Sequence, residues 1–139
     1  MVNGKSQLYR KLKNMNFVEN FTELETYKLA REISFEIFQF TKSFPAEEKY
    51  SLTDQIRRSS RFVGAQIAEC WAKRRYEKHF ISKLTDADAE QYETVHWLSI
   101  ANECNYLSDS DYITLKKKCD ALSKKINSMI QKSSQFCNL

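Results

Sequence analysis

The scarcity of glycine and proline is the feature that most limits what this chain can fold into. Only two glycines and one proline occur among its 139 residues. A β-sandwich needs turn residues about every ten positions, and Rossmann or P-loop phosphate sites need glycines where a strand meets a helix. The sequence therefore excludes these classes and predicts an all-α fold of long helices. Its length is typical of a single domain.

Apolar residues recur every three to four positions and divide the chain into four amphipathic helices, here called helices A to D. Helix A is predicted to start at a capping box over residues 22–25 and to end at Phe44, because the following proline cannot continue a helix. Similar capping boxes over residues 51–54 and 108–111 mark the starts of helices B and D, and helix C is predicted to begin near Tyr76.

Four such helices joined by short links predict an antiparallel up-down-up-down four-helix bundle over residues 21–136. Residues 1–20 are basic and lack sustained periodicity, so we expect them to form a mobile N-terminal arm. The predicted inward faces are Leu29, Ile33, Ile37, Phe40 and Phe44 in helix A, Leu52, Ile56, Ser59, Val63, Ile67 and Cys70 in helix B, Phe80, Leu84, Ala87, Gln91, Thr94, Leu98 and Ala101 in helix C, and Tyr112, Leu115, Cys119, Leu122, Ile126, Met129, Ser133 and Phe136 in helix D.

Two features provide more surface for packing than the core of one four-helix bundle needs. Helix A has a broad apolar arc, and helix B carries a row of small residues spaced four apart beside its apolar face. Glycine inside a helix costs about 1 kcal/mol relative to alanine, so this row indicates close packing of another backbone. We expect self-association to cover the surplus surface, and a thicker core within one chain is the alternative. The small residues are Ser60, Gly64, Ala68 and Ala72.

The net charge of +4 is too mild to imply nucleic-acid binding by itself, but the charge is unevenly distributed. Residues 51–80 hold seven basic and three acidic residues, whereas residues 81–110 hold one basic and six acidic residues. The four cysteines form no C-x-x-C pair and are predicted to be free thiols, and no apolar stretch approaches the roughly 20 residues of a membrane span. We therefore expect a cytoplasmic protein with no cofactor and no membrane association.

Several short motifs occur in order along the chain: Phe44-Pro45, YSLTDQIRRS over residues 50–59, QIAE over 66–69, KLTDADAE over 83–90, Glu93-Thr94, Trp97-Leu98 and CNYL over 104–107. Together they make the region from about Phe21 to Met129 resemble the bacterial four-helix bundle proteins named for reading frames in 23S ribosomal RNA intervening sequences.

This resemblance implies an antiparallel four-helix bundle that assembles as a ring, usually of five subunits, with no enzymatic activity. It also implies a relation in fold to accessory proteins of diversity-generating retroelements, which bind a reverse transcriptase and nucleic acid. Many members of the family have Asn where this chain has Gln66 and Gly where it has Cys70. We therefore do not transfer to this chain any family role that requires the shorter Asn side chain at position 66 or a close backbone approach at the Gly of position 70.

Seven basic residues are the candidate nucleic-acid-binding site. The arginines early in helix B lie opposite its apolar face, and their planar guanidinium groups match phosphate oxygens. No interleaved aromatic residues are recognised beside them for base stacking, so weak sequence specificity is expected. The alternative is that these arginines pair with an acidic stripe on helix C, Asp86, Glu90 and Glu93, within one chain or between neighbours. The seven candidates are Arg57, Arg58, Arg61, Lys73, Arg74, Arg75 and Lys78.

No catalytic or metal-binding set is predicted. Residues 93–96 form one Glu-x-x-His unit, which di-iron bundles use in pairs, and His96 points away from the predicted core. His79 has no cysteine or carboxylate partner at a recognisable spacing. We therefore expect no enzymatic activity. Together with the resemblance, which implies the ring of five and a partner such as a reverse transcriptase, this predicts a non-enzymatic, ring-forming and pentameric helical bundle that serves as a nucleic-acid or ribonucleoprotein accessory and binds RNA or DNA. The alternative is a protein-interaction scaffold with no nucleic-acid binding.

Overall fold

The computed structural model describes residues 4–5 and 18–137, and this part of the chain is helical and contains no strand. The prediction of a mobile arm over residues 1–20 lies almost entirely outside the described residues. Four long helices follow one another: α1 over Glu25–Thr41, α2 over Leu52–Ala72, α3 over Glu77–Glu103 and α4 over Asp109–Gln131. A short helix α5 spans Ser133–Phe136, and two 3-10 turns span Phe21–Glu23 and Ala46–Glu48. The four predicted helices A to D correspond to α1 to α4, so the all-α prediction is confirmed.

The predicted bounds of helix A are wrong at both ends. Asn20, and not Thr22, provides the cap: its side-chain oxygen accepts a hydrogen bond of 3.1 Å from the Thr22 backbone N–H and starts the first 3-10 turn. Extended backbone at Leu24 then separates this turn from α1, which begins without a side-chain cap. The helix ends at Thr41 because residues 42–44 form a turn before Pro45, which disfavours the α conformation in the residue preceding it.

The other helix ends follow the sequence more closely. The Ser108 hydroxyl accepts a 3.1 Å hydrogen bond from the Asp111 N–H and caps α4, as predicted. Ser51 stands at the N-cap of α2, but its side chain makes no capping hydrogen bond. Asn105 has φ 60°, a left-handed conformation that asparagine tolerates, and it ends α3 after the C-cap Cys104. Helix D was predicted as one helix to Phe136, whereas the structure interrupts it with a turn at Lys132.

The predicted inward faces of α2 and α3 are buried at every position. On α4 the seam is buried from Leu115 to Met129, with half-buried aromatic residues at its two ends. Helix α1 is turned slightly from its predicted orientation, so that apolar Leu29 and Phe40 lie at the edge of the core. The residues of α1 that are buried are Thr26, Ala30, Ile33, Ile37 and Thr41.

Each long helix packs against two others: α2 contacts α1 and α3, and α4 contacts α3 and α1. The Thr26 hydroxyl donates to Met129 Sδ at 3.1 Å, joining the first residues of α1 to the last turns of α4. The Thr94 hydroxyl lies 3.0 Å from Ser59 Oγ, inside the α2–α3 contact. Lys118 Nζ on α4 donates to Glu36 Oε1 on α1 at 2.6 Å, and this hydrogen bond raises the pKa of the Lys118 ammonium.

The chain itself covers part of the small-residue row. A Cβ built on Gly64 would lie 3.6 Å from Tyr27 Cε2 and 4.0 Å from Ala30 Cβ, so Gly64 faces α1. Ser60 is buried beside it, whereas Ala68 is half-buried and Ala72 is exposed. Packing within one chain therefore accounts for Ser60 and Gly64, the first half of the row, as the alternative of a thicker core predicts.

No helix in the described part of the chain is long and apolar enough to cross a membrane. All four cysteines are free, as predicted. Burial raises the pKa of the Cys70 thiol to about 12 and that of the Cys119 thiol to about 11. These two thiols are therefore protonated core residues at neutral pH.

Candidate nucleic-acid interface

The three arginines early in α2 lie on its outer side, and two of them, Arg57 and Arg61, reach towards α1. Arg57 Nε donates a hydrogen bond of 2.7 Å to Thr41 Oγ1, the last residue of α1. Arg57 is half-buried, whereas Arg58 and Arg61 are exposed. This position follows from the helical period, since the buried neighbours Ile56, Ser59 and Ser60 occupy the inner side of the same turns.

Three cations converge on the Phe38 ring of α1. Lys42 Nζ lies 4.8 Å from the ring centroid, and the guanidinium carbons of Arg57 and Arg61 lie 4.9 and 5.6 Å from it. An aromatic face attracts each cation weakly, by about 0.5 to 1 kcal/mol at an exposed site, but it carries no net charge. The positive charges around Phe38 are therefore held together without being neutralised.

Among the residues that the structure describes, none of these cations has a carboxylate within 4.0 Å. The same is true of Arg58 and of Lys49, which lies in the link before α2. Four lysines elsewhere in the described chain do have such a partner, among them Lys83, which pairs with Glu69 at 3.1 Å. We call these five neighbouring cations the basic cluster, and they are Lys42, Lys49, Arg57, Arg58 and Arg61.

The predicted ion pairs between these arginines and the acidic stripe of α3 are not formed within the described chain. Burial raises the pKa of the Glu90 carboxyl, Glu93 raises it further, and the Arg58 guanidinium lowers it. Arg58 therefore acts on Glu90 through its field without a direct contact. Pairing between neighbouring copies stays a prediction.

The expectation that the arginines lack neighbouring aromatic rings is wrong. Phe38 comes from a different helix, and its place among the cations is visible only in three dimensions. Arg58 lies 5.5 Å from the ring centroid of Phe62, four residues along α2, and Lys49 Nζ lies 5.3 Å from that of Tyr50. Tyr50 is 84% exposed and Phe62 is 39% exposed. In the sequence, Tyr50 directly follows Lys49 and Phe62 directly follows Arg61. This adjacency could have indicated a surface that is both basic and aromatic.

The remaining four candidates form a separate group at the other end of α2, a helix about 30 Å long at 1.5 Å per residue. Arg74 stacks on Trp71 with its guanidinium carbon 3.6 Å from the ring centroid, and its Nε donates to the Trp71 carbonyl oxygen at 2.9 Å. The structure therefore does not bring the seven candidates into one site. The other three, Lys73, Arg75 and Lys78, are exposed.

Two open clefts adjoin the basic cluster at the start of α2. One has a volume of about 350 Å³ and is lined by Lys42 and Phe44 among others, and the second, of about 480 Å³, is lined by Tyr50, Arg58 and Phe62 among others. They share three lining residues, Lys49, Thr53 and Arg57. Asp54 is the one acidic residue that lines either cleft.

The other singled-out residues take structural positions. His96 is exposed and its ring centroid lies 4.7 Å from that of Trp97, and His79 is exposed beside Tyr76. No group of three or more metal-ligating side chains occurs within residues 4–5 and 18–137. Gln66 accepts a long 3.4 Å hydrogen bond from Lys83, so its extra methylene lets it reach α3.

Four packed helices with an unpaired basic surface define an all-helical protein of the bundle type. The chain belongs to the family of 23S rRNA-intervening sequence proteins, whose model matches residues 22–128. It is also similar to the crystal structure of a protein of unknown function from the S23 ribosomal protein family of Bacteroides thetaiotaomicron. That similarity has 26% identity and a TM-score of 0.69, and covers 76% of this chain and 95% of the other. No curated protein matches the sequence.

Proposed function

We propose that this chain is a non-enzymatic, homo-oligomeric helical bundle that binds nucleic acid through the basic cluster. The observation that carries the proposal is the convergence of five cations without a carboxylate partner. Like charges held this close repel one another, and an anionic ligand lowers that energy by replacing the missing counter-charge. A phosphate backbone supplies such charges at regular spacing and releases its own counterions on binding.

The proposed bundle is antiparallel, with an up-down-up-down order. Contacts between the start of one helix and the end of a neighbouring helix support it: Thr26 of α1 meets Met129 of α4, and Lys83, near the start of α3, pairs with Glu69, near the end of α2. This arrangement places the basic cluster at one end of the molecule and the Lys73 group at the other. The four free cysteines fit a reducing cytoplasm, which we propose as its location.

Self-association is the second part of the proposal, and a ring of five is the form that the family resemblance implies. A groove between α1 and α2, of about 860 Å³, is lined by apolar side chains that include Phe35, Phe38 and Ala68, and also by the charged side chains of Lys28, Arg31, Glu32 and Arg61. Phe35 is 61% exposed, which is costly for a large apolar ring in one isolated chain. A ring repeats each basic cluster, so that weak contacts to one long strand add up to strong binding.

The test is the salt dependence of RNA binding, measured by fluorescence anisotropy with a labelled single-stranded RNA. The triple variant Lys49→Gln, Arg58→Gln, Arg61→Gln is expected to weaken binding at least tenfold at physiological salt. Each lost phosphate contact should also reduce the slope of log affinity against log salt by about one. Arg57 is left unchanged because its hydrogen bond to Thr41 joins two helices.

A matched control removes the same number of charges from the other end of α2. The variant Lys73→Gln, Arg75→Gln, Lys78→Gln is expected to weaken binding less than threefold. Equal losses in both variants would mean that net charge, and not the basic cluster, governs binding. Wild-type protein that binds no RNA at low salt would reject nucleic-acid binding and favour the protein-interaction scaffold.

A further inference from the structure

The clefts beside the basic cluster combine two kinds of group that a duplex cannot use together. Cations line both clefts, and two exposed aromatic rings line the second. Each exposed ring has a cation close to it, Lys49 at 5.3 Å from Tyr50 and Arg58 at 5.5 Å from Phe62. The phosphates of a duplex are accessible to cations, but its base faces are stacked inside the helix. Unpaired bases, in contrast, stack on aromatic side chains and gain about 1 to 3 kcal/mol each.

One buried hydroxyl at this site also lacks a partner. Thr53 lines both clefts and is 7% exposed, and its Oγ1 makes no hydrogen bond within the described chain. Most buried hydroxyls are satisfied by backbone or side-chain groups, and other threonines of this chain donate to a carbonyl three or four residues earlier. The Thr53 hydroxyl is therefore a hydrogen-bonding group beside both clefts that the described chain leaves unused.

We propose that the start of α2 is a site for single-stranded nucleic acid. Backbone phosphates lie on Lys49, Arg57 and Arg58, and unpaired bases stack on Tyr50 and Phe62. This inference rests on the proposed function and adds the class of nucleic acid that is recognised. Because phosphates and base faces are common to RNA and DNA, single strands of both are bound.

The test compares single-stranded with duplex nucleic acid, and wild-type protein with variants of Tyr50. Labelled RNA and DNA oligonucleotides of about 12 nucleotides are titrated by fluorescence anisotropy, each as a single strand and as its own duplex. Single strands are expected to bind about tenfold more tightly than duplexes. Tyr50→Ala is expected to weaken single-strand binding about tenfold, as the loss of one stacked base predicts, and to change duplex binding less than twofold. Tyr50→Phe, which keeps the ring, should restore single-strand affinity.

Tyr92→Ala is the matched control, since Tyr92 is 68% exposed on α3 and lines neither cleft, and it should leave binding unchanged. Equal affinity for single strands and duplexes, with no effect of Tyr50→Ala, would overturn the inference. The proposed function would still stand if the basic-cluster variant had lost binding. Competition by poly-glutamate as strong as that by unlabelled RNA would also overturn it, because a carboxylate chain uses the cations without the rings.

Discussion

Serine stands at the first position before two long helices, and the same side chain makes different contacts at each. Ser108 caps α4 by accepting from the Asp111 N–H at 3.1 Å, with backbone in the extended region. Ser51 precedes α2 with ψ −107°, a backbone angle far from the extended value, and its hydroxyl makes no capping hydrogen bond. The residue type is therefore a signal for a helix start, whereas the backbone conformation decides whether the cap forms.

Replacing each serine by alanine measures this difference. Ser108→Ala is expected to lower the free energy of unfolding by about 1 kcal/mol, because it leaves an N-terminal N–H of α4 without its partner. Ser51→Ala is expected to change that free energy by less than about 0.3 kcal/mol, since no cap is lost. Urea unfolding followed by circular dichroism at one protein concentration gives both values. Equal losses in the two variants would contradict the assignment of the caps.

At the scale of elements, the contact between α1 and α2 is the one that builds the candidate site. At Gly64, α2 lies against Tyr27 and Ala30 of α1, and the same pair of helices brings Phe38 next to Arg57 and Arg61. The space at Gly64 still suffices for a methyl group, because 3.6 Å is an ordinary van der Waals distance. The glycine is therefore not required for close backbone packing, contrary to what the small-residue row suggested.

Gly64→Ala is accordingly expected to raise the free energy of unfolding by about 0.5 to 1 kcal/mol, because alanine favours the helix and restricts the unfolded chain. Gly64→Leu should lower it, since a larger side chain displaces the Tyr27 ring. The urea midpoint of each variant, compared with that of wild type, reports the sign. A loss of stability in the alanine variant would show that α1 and α2 need the glycine after all.

For the whole molecule, the proposed self-association is assigned to the groove between α1 and α2, and two exposed apolar residues allow it to be tested. Phe35 lines this groove, whereas Ile113, which is 51% exposed, lies near the start of α4. Burying the groove against another copy gains about 25 cal/mol for each Å² of apolar area removed from water.

The oligomer is tested by placing a carboxylate at each of these two positions. Phe35→Glu is expected to reduce the native mass measured by light scattering, because it removes the apolar ring that the contact would bury and puts in its place a carboxylate that must be desolvated. Ile113→Glu is expected to leave the mass unchanged, and circular dichroism verifies that both variants remain folded. A monomeric wild-type protein, or an unchanged mass for Phe35→Glu, would reject this surface as the contact between copies.

Much of the fold was predictable because helix formation and burial follow a local period. Every residue predicted to face inward on α2 and α3 is buried, although Thr53 of α2 was missed, and Tyr76 and Ser108 marked helix starts correctly. The start of α1 was missed because Asn20 caps a separate 3-10 turn just before it. Which of two nearby polar residues captures an N–H depends on backbone angles that a residue pattern does not contain.

The sequence alone determined four amphipathic helices, the inward faces of α2, α3 and most of α4, and the outward direction of Arg57, Arg58 and Arg61, because each depends on residues within a few positions of one another. Only the tertiary structure decided that Phe38 lies among these cations, that the arginines form no ion pair with α3 in the described chain, and that the Lys73 group is separate. Those relations depend on how far one helix is rotated and shifted against the next. That geometry results from the packing of all four helices together, and no single segment encodes it.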